Sequence, residues 1–379
     1  MGRRGDRSGI AIAVLLGCSL VPPINSACLN VALDDLATDL GATTADLQWV
    51  LNAYTLGYIG TLLAAARLGD AVGQVRALGT GHVVFLGATL VAAVAPSPPL
   101  LVACRFVMGV AGAVMQTMSL SLFSGLNVDP RRRARAFSWW AATASLGLTL
   151  GPILGGILLQ LFWWGSIFLL NVPLLVVLTL CVVRWVPEVA PRVRGDWDVG
   201  GILLSVAGLT AVIWAVIEAP ARGWTHPTTL AALAVGVAVL AAFVAWESRP
   251  EHTLLDLSYF RNAQMSASVV SFIGITFTYG GGLLLTSLTL RSTLGLSPLA
   301  TGFSLTPLAL AMVVAAVASA PVGRRMGLRW TITAGLALVL ASSLTVALLG
   351  PEGPLPLVLA LALLGAGFGL ANAPAIEAG

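Results

Sequence analysis

The sequence contains no lysine: all twenty of its bases are arginine. Charge of either sign is scarce, at 9% of 379 residues, against about a quarter in soluble domains. That scarcity excludes a soluble enzyme, a disordered chain and a nucleic-acid binder, even though sixteen acids leave a net charge of +4. The four cysteines, Cys18, Cys28, Cys104 and Cys181, sit in apolar stretches without a CxxC pair, so they read as small buried hydrophobes. His82, His226 and His252 lie far apart, at segment ends, which leaves no zinc site or acid–base cluster to predict. Nothing in the residues asks for a metal or a cofactor.

What remains is hydrocarbon. Hydrophobic residues make up 58% of the chain and the mean hydropathy is +0.93. A membrane-crossing helix needs roughly 20 mostly apolar residues; twelve such runs can be read, from Ile10–Ala32 to Leu355–Ala375. The expected class is an all-α integral membrane protein whose first partner is the lipid bilayer.

The loops between runs alternate in charge. One side collects seventeen of the twenty arginines: Arg3, Arg4, Arg7, Arg67, Arg76, Arg131, Arg132, Arg133, Arg135, Arg184, Arg192, Arg194, Arg249, Arg261, Arg324, Arg325 and Arg329. The other has Arg222 and Arg291, with Asp34, Asp35, Asp39, Asp46, Glu218 and Glu352. The positive-inside rule makes the first side cytoplasmic, which predicts a multi-pass protein of the cytoplasmic membrane with both termini inside.

A weak repeat organises the chain. Gly73-Gln-Val-Arg76 after the second run and Gly327-Leu-Arg329 after the tenth both put a glycine just ahead of an arginine and an apolar helix. Matching Gly73 to Gly327 sets an offset of 254 residues, which starts the second half where the ninth run begins. The expected division is a six-helix bundle over 1–187, an inserted pair with its linkers over 188–262, and a second bundle over 263–379 with four helices of an expected six. On that offset the second bundle would end at about residue 440, roughly two spans past Gly379.

The fifth run carries Gly147-Leu-Thr-Leu-Gly151-Pro152-Ile-Leu-Gly155-Gly156. Glycines four apart let a second helix backbone approach, and a proline can bend its own helix. This GxxxGPxxGG pattern resembles the antiporter motif of the major facilitator superfamily. Gly69-Asp70-Ala-Val-Gly73 resembles that family's loop after span 2, and Arg105-Phe-Val-Met-Gly109 its span-4 motif. Asn30-Val-Ala-Leu, Gln48-Trp49-Val with Tyr54, Phe168-Leu-Leu-Asn171-Val-Pro173, Leu254-Leu-Asp256, Phe260-Arg-Asn and Leu294-Gly-Leu-Ser-Pro298 with Gly302 are similar to the fourteen-span drug:proton antiporter branch.

The resemblance implies a major facilitator fold that exports lipophilic small molecules by alternating access, with a proton as coupling ion. It also assigns roles. Gly69, Asp70, Gly73 and Arg76 would form a cytoplasmic latch, although Ala66, Ala71 and Gln74 replace the family's first glycine and two bases. Alternatively, Asp70 simply caps the third span. Arg105 is the one charge clearly inside a run and needs a partner; Asn25 lies at a similar depth, where similar proteins carry an aspartate. An amide accepts a hydrogen bond but does not titrate, so the coupling candidates are Asn25 and Arg105 with Asp34 and Asp35 as substitute acids. A substrate cavity is expected from Asn30, Gln48, Trp49, Asn52, Tyr54 and Gln116. Asn52 and Tyr54 are two apart and do not share a helix face. Two alternatives stay open: an uncoupled facilitator of the same fold, and a truncated membrane protein that does not transport.

Overall fold

The structure, a computed structural model, describes residues 2–126, 130–188, 199–248, 262–290, 295–296, 300, 303–349 and 354–378. Arg192, Arg194, Arg249, Arg261, Arg291, Glu352, His252, Gly302 and the stretches 254–256, 260–261, 294 and 297–298 lie outside the described residues.

Among the described residues every regular element is helical: α1 Gly2–Val31, α2 Leu33–Leu40, α3 Thr44–Val72, α4 Gln74–Ala93, α5 Pro98–Leu126, α6 Pro130–Leu161, α7 Ser166–Leu169, α8 Asn171–Trp185, α9 Val199–Arg222, α10 Pro227–Glu247, α11 Ala263–Leu288, α12 Thr306–Met326, α13 Leu328–Leu349 and α14 Pro354–Ala378. Hydrocarbon offers no water to backbone N–H and C=O groups, so a helix that satisfies them internally is the stable solution. Among the described residues, nine helices are long and apolar enough to cross a membrane. The long helix α3 is bent by 55° between Leu62 and Ala64, just after Thr61 turns its hydroxyl back to the Gly57 carbonyl, a contact that tilts helices. Two shorter apolar stretches, Leu146–Leu161 and Pro356–Asn372, lie in α6 and α14. Phe277, Leu348 and Val183 are 81%, 79% and 73% exposed, which suits lipid and not water.

Two compact units partition the chain. The first comprises Met1–Cys18, Ala32–Gly125 and Trp163–Leu257; the second comprises Ser19–Val31, Leu126–Phe162 and Ser258–Gly379. The division falls inside α1, between Cys18 and Ser19. Pro22 and Pro23, within the same helix, have no N–H to give the carbonyls four residues back, which are those of Cys18 and Ser19.

In the first unit, local chemistry sets the element ends. Thr43 and Asp46 form a reciprocal capping box at the start of α3, satisfying two donors that a helix N-terminus leaves open. His226 caps α10, with Pro227 behind it. The α9–α10 pair packs through Gly208 and Gly236: a Cβ on Gly208 would lie 2.8 Å from Leu240, and one on Gly236 2.9 Å from the Val212 backbone nitrogen. The pair is joined to α3 where Gly60 faces Val206 and Ser205 Oγ lies 3.4 Å from the Gly60 carbonyl.

In the second unit, Ile275 and Tyr279 of α11, Leu308 and Met312 of α12, Val339 of α13 and Leu361, Leu364 and Phe368 of α14 form a buried core. Glycines on two faces of α14 bring helices close: Gly365 and Gly369 meet α12 backbone, and Gly367 meets the Gly335 carbonyl of α13. Lipid tails are as apolar as these side chains, so packing of this kind, and not escape from water, holds such helices together.

The turns matched in sequence share a conformation. Gly73 (φ +98°) and Gly327 (φ +83°) each link two consecutive helices. The Gly73 N–H donates to the Gly69 carbonyl at 3.0 Å and the Gly327 N–H to the Gly323 carbonyl at 2.8 Å. Both donor–acceptor pairs obey the same 254-residue offset.

Candidate functional site

Arg105 is 1% exposed on α5, within the first unit. Its Nε donates to the Val50 carbonyl of α3 at 3.1 Å, and its guanidinium lies 4.5 Å from the Tyr54 ring centroid. Tyr54 in turn stacks on Tyr58 at 6.2 Å. Glycines make the approach possible: a Cβ on Gly109 would collide with the Tyr54 carbonyl, and one on Gly112 would sit 2.7 Å from the Tyr54 hydroxyl oxygen. A desolvated guanidinium over an aromatic face is stabilised by about 2 kcal/mol, and the carbonyl bond adds direction. Thus Arg105 and Tyr54, expected in separate roles, form one cluster.

The other cavity candidates lie on α1, α3 and α5. On α3, Asn52 Nδ2 donates to the Gln48 carbonyl at 2.9 Å, and Gln48 and Trp49 are half-buried. On α5, the Gln116 side-chain oxygen is buried without a hydrogen-bond partner among the described residues. Asn25 (2% exposed) and Asn30 belong to the second unit, where Asn30 Nδ2 donates to the Ser26 carbonyl at 3.3 Å. Asp34 and Asp35 fall in the first turn of the short helix α2, beyond the end of α1. Carboxylates are favoured at that end of a helix, and Asp34 is exposed. Glu247, outside the apolar run in sequence, is 1% exposed at the end of α10.

At the turn where the latch is expected stands a residue the sequence did not single out. Glu188, past the end of α8, accepts the Val75 N–H at 3.1 Å. Its Oε1 would lie 2.9 Å from a Cβ on Gly73. The carboxylate therefore satisfies the Val75 N–H in the first turn of α4, where the helix dipole favours a negative charge. Asp70 gives no side-chain cap to α4, and among the described residues neither Asp70 nor Arg76 forms an ion pair. Gly69 packs directly on the Met118 sulfur. The other glycine turn has nothing within 4 Å of a Cβ on Gly327.

In the second unit the α6 glycines lie along the Ser19–Val31 part of α1. A Cβ on Gly147 would be 3.0 Å from the Leu20 carbonyl, one on Gly151 would collide with Ala27, and one on Gly155 would be 3.2 Å from the Cys28 backbone. The Cys28 thiol donates to the Gly151 carbonyl at 3.0 Å. Pro152 and Gly156 are buried on the same stretch. The three glycines Gly147, Gly151 and Gly155 thus bring the α6 backbone close to that of α1.

The sequence puts His82 at a segment end; it lies instead eight residues into α4, fully buried. Among the described residues no cluster of three or more His, Cys, Asp or Glu could hold a metal ion.

Comparison with known proteins gives consistent results. The sequence model of the Major Facilitator Superfamily matches residues 15–378. The chain is 32% identical over 349 residues to the multidrug resistance protein Stp of Mycobacterium tuberculosis, covering 91% of this chain and 64% of that protein. It is 35% identical over 331 residues to a probable actinorhodin transporter of Streptomyces coelicolor, covering 85% of this chain and 57% of that one. It therefore spans about three fifths of the length of these relatives. Among solved structures, the proton:xylose symporter XylE matches with a TM-score of 0.69 at 14% identity, over 99% of this chain and 82% of that one, which is a likeness of fold.

Proposed function

The chain belongs to the Major Facilitator Superfamily, and from that premise we propose that it exports lipophilic small molecules across the cytoplasmic membrane by alternating access, in antiport with protons. The observation that carries this reading is the α6 stripe. Gly147, Gly151 and Gly155 seat directly on α1, in the pattern that resembles the family's antiporter motif. The relatives named for multidrug resistance and for actinorhodin transport support a lipophilic cargo. The scarcity of acids inside the runs argues for a neutral or weakly charged one, because a cation would find no counter-charge.

The same reading assigns the chain to the fourteen-span branch, with 1–187 and 263–379 as bundles and 188–262 as an insert, and both termini in the cytoplasm. The docking of α9 on α3 at Gly60 and Ser205 supports an insert carried by the first bundle. Arg105 with Tyr54 would line the transport path, and Glu188 with Gly69 and Gly73 would form the latch.

One observation favours a second reading, the uncoupled facilitator: the buried Asn25 does not titrate. Proteoliposomes holding the purified chain separate the two. Efflux of a neutral lipophilic dye that alkalinises or acidifies the lumen in step with dye movement supports antiport. Dye movement with no proton movement selects the facilitator, and no dye movement across a panel of lipophilic compounds rejects export.

A further inference from the structure

His82 is fully buried between α4 and α8, and its surroundings fix its tautomer. The Thr179 hydroxyl donates to the Leu175 carbonyl at 2.6 Å. A hydroxyl has one hydrogen, so the Thr179 oxygen must accept in its 3.2 Å contact with His82 Nδ1. Nδ1 therefore carries the ring hydrogen. In a neutral imidazole Nε2 is then a bare lone pair, and it is buried with no hydrogen-bond partner among the described residues. Buried acceptors are nearly always satisfied, so this atom is poised for a donor.

The same seam continues in polar atoms. His82 faces Thr179, and Gly165 meets the Ala93 carbonyl, so α4 runs antiparallel to α7 and α8. That register sets Thr89 opposite Asn171. The Thr89 hydroxyl, the Asn171 side-chain oxygen and the Ser166 hydroxyl are all buried and without partners among the described residues. Thr80, on the same helix, instead gives its hydroxyl to the Arg76 carbonyl. Seven residues of helix separate His82 from Thr89, about 10 Å. Four buried polar groups without partners on the helices of this seam suit ordered waters, each needing two to four polar partners, and the distance from His82 to Thr89 calls for more than one.

Among the described residues, no charged side chain bonds to the ring from the helices packed on α4. Next to it, α5 presents Ala111, Val114 and Met115 beside Gly81, while α8 buries Leu175, Leu178 and Val182 and α7 buries Ser166, Ile167 and Phe168. The ionisable groups of these helices lie further along. Cys181 and Arg184 follow Thr179 on α8, and Glu188 beyond it binds the start of α4. Arg76 is six residues before His82, Arg67 and Asp70 sit at the loop end of α3 with Asp46, Tyr54 and Tyr58 further back on that helix, and Cys104 precedes Arg105 on α5. Arg105 on α5 is engaged with Val50 and Tyr54.

We infer that His82 is the proton-binding site of the first unit, with Nε2 taking the proton from water held along Thr89, Asn171 and Ser166. The inference rests on the antiport reading. Hydronium gives one proton to Nε2, the ring becomes imidazolium, and the Nδ1–H bond to Thr179 is kept in both forms. A titratable group is thereby supplied to a chain whose Asn25 has none.

Two measurements on the full chain test it. In proteoliposomes with Nile red as the transported dye, proton movement per dye should fall at least tenfold in His82→Gln and His82→Asn, and the pH dependence of transport should flatten. Proton movement and a pH profile unchanged in both variants overturn the role of His82 while antiport stands. Dye movement without proton movement in the unmutated chain overturns both. Independently of transport and of variant folding, nitrogen NMR of histidine-labelled chain should show one ring, absent in His82→Asn, with hydrogen on Nδ1 and an Nε2 signal that titrates. A ring with its hydrogen on Nε2, or one that never titrates, overturns the inference.

Discussion

At the scale of single residues, Arg105 organises the interior of the first unit. Its guanidinium is planar and delocalised, and a lysine ammonium reproduces neither the ring stacking nor the Nε bond to the Val50 carbonyl. Arg105→Lys should therefore lower stability by about 1–3 kcal/mol and reduce transport, as read by thermal melting in detergent and by dye flux. Melting and flux equal to those of the unmutated chain would show that the cluster is incidental. The need for a partner was legible in the sequence, because a lone arginine in an apolar run is costly. The partner was not: a backbone carbonyl has no letter, and an aromatic ring 51 residues back, at Tyr54, reads equally well as cavity lining. Glu188 was hidden for a similar reason, since 113 residues separate it from the N–H it accepts. His82 was misplaced because an apolar run has no sharp edge in sequence, and only the helix start at Gln74 puts the ring in the interior.

At the scale of elements, the two glycine turns are a controlled comparison. Gly73 and Gly327 share a positive φ that costs a residue with a side chain roughly 1–3 kcal/mol. At Gly327 the added Cβ meets nothing within 4 Å, whereas at Gly73 it meets the Glu188 carboxylate at 2.9 Å. Gly73→Ala should accordingly be more harmful than Gly327→Ala, and adding Glu188→Ala should bring the loss at Gly73 closer to the loss at Gly327. Melting temperatures of the four chains measure this; equal losses at the two turns would mean that Glu188 yields without resistance. Here the sequence was informative: glycine before arginine at two places, 254 residues apart, was enough to pair turns that share φ and hydrogen bonding. The α6 stripe was equally legible, since close backbone approach leaves few choices but glycine, while its partner surface on α1, built of Leu20, Pro23, Ala27 and Cys28, has no motif.

At the scale of the whole molecule, the arginine distribution predicts an orientation that labelling can check. In a chain whose four cysteines are replaced by alanine, Ala71→Cys in the last turn of α3 should react with a membrane-impermeant maleimide only after the cells are opened. Trp224→Cys, 61% exposed between α9 and α10, should react in intact cells. The reverse pattern would invert the topology. The helical class and the membrane setting followed from composition alone; the division into units did not, because it depends on contacts between segments far apart in the chain. That division has a consequence for biosynthesis. The second unit draws on Ser19–Val31, Leu126–Phe162 and Ser258–Gly379, so its first strip leaves the ribosome more than two hundred residues before its last. For about a hundred residues of synthesis after Gly155, the α6 glycines can seat on α1 while α11 to α14 are still to come. The early helices must therefore wait in the bilayer with an unfinished face, and slow synthesis or a stalled insertion would expose that half-built surface to quality control before the protein had done any work.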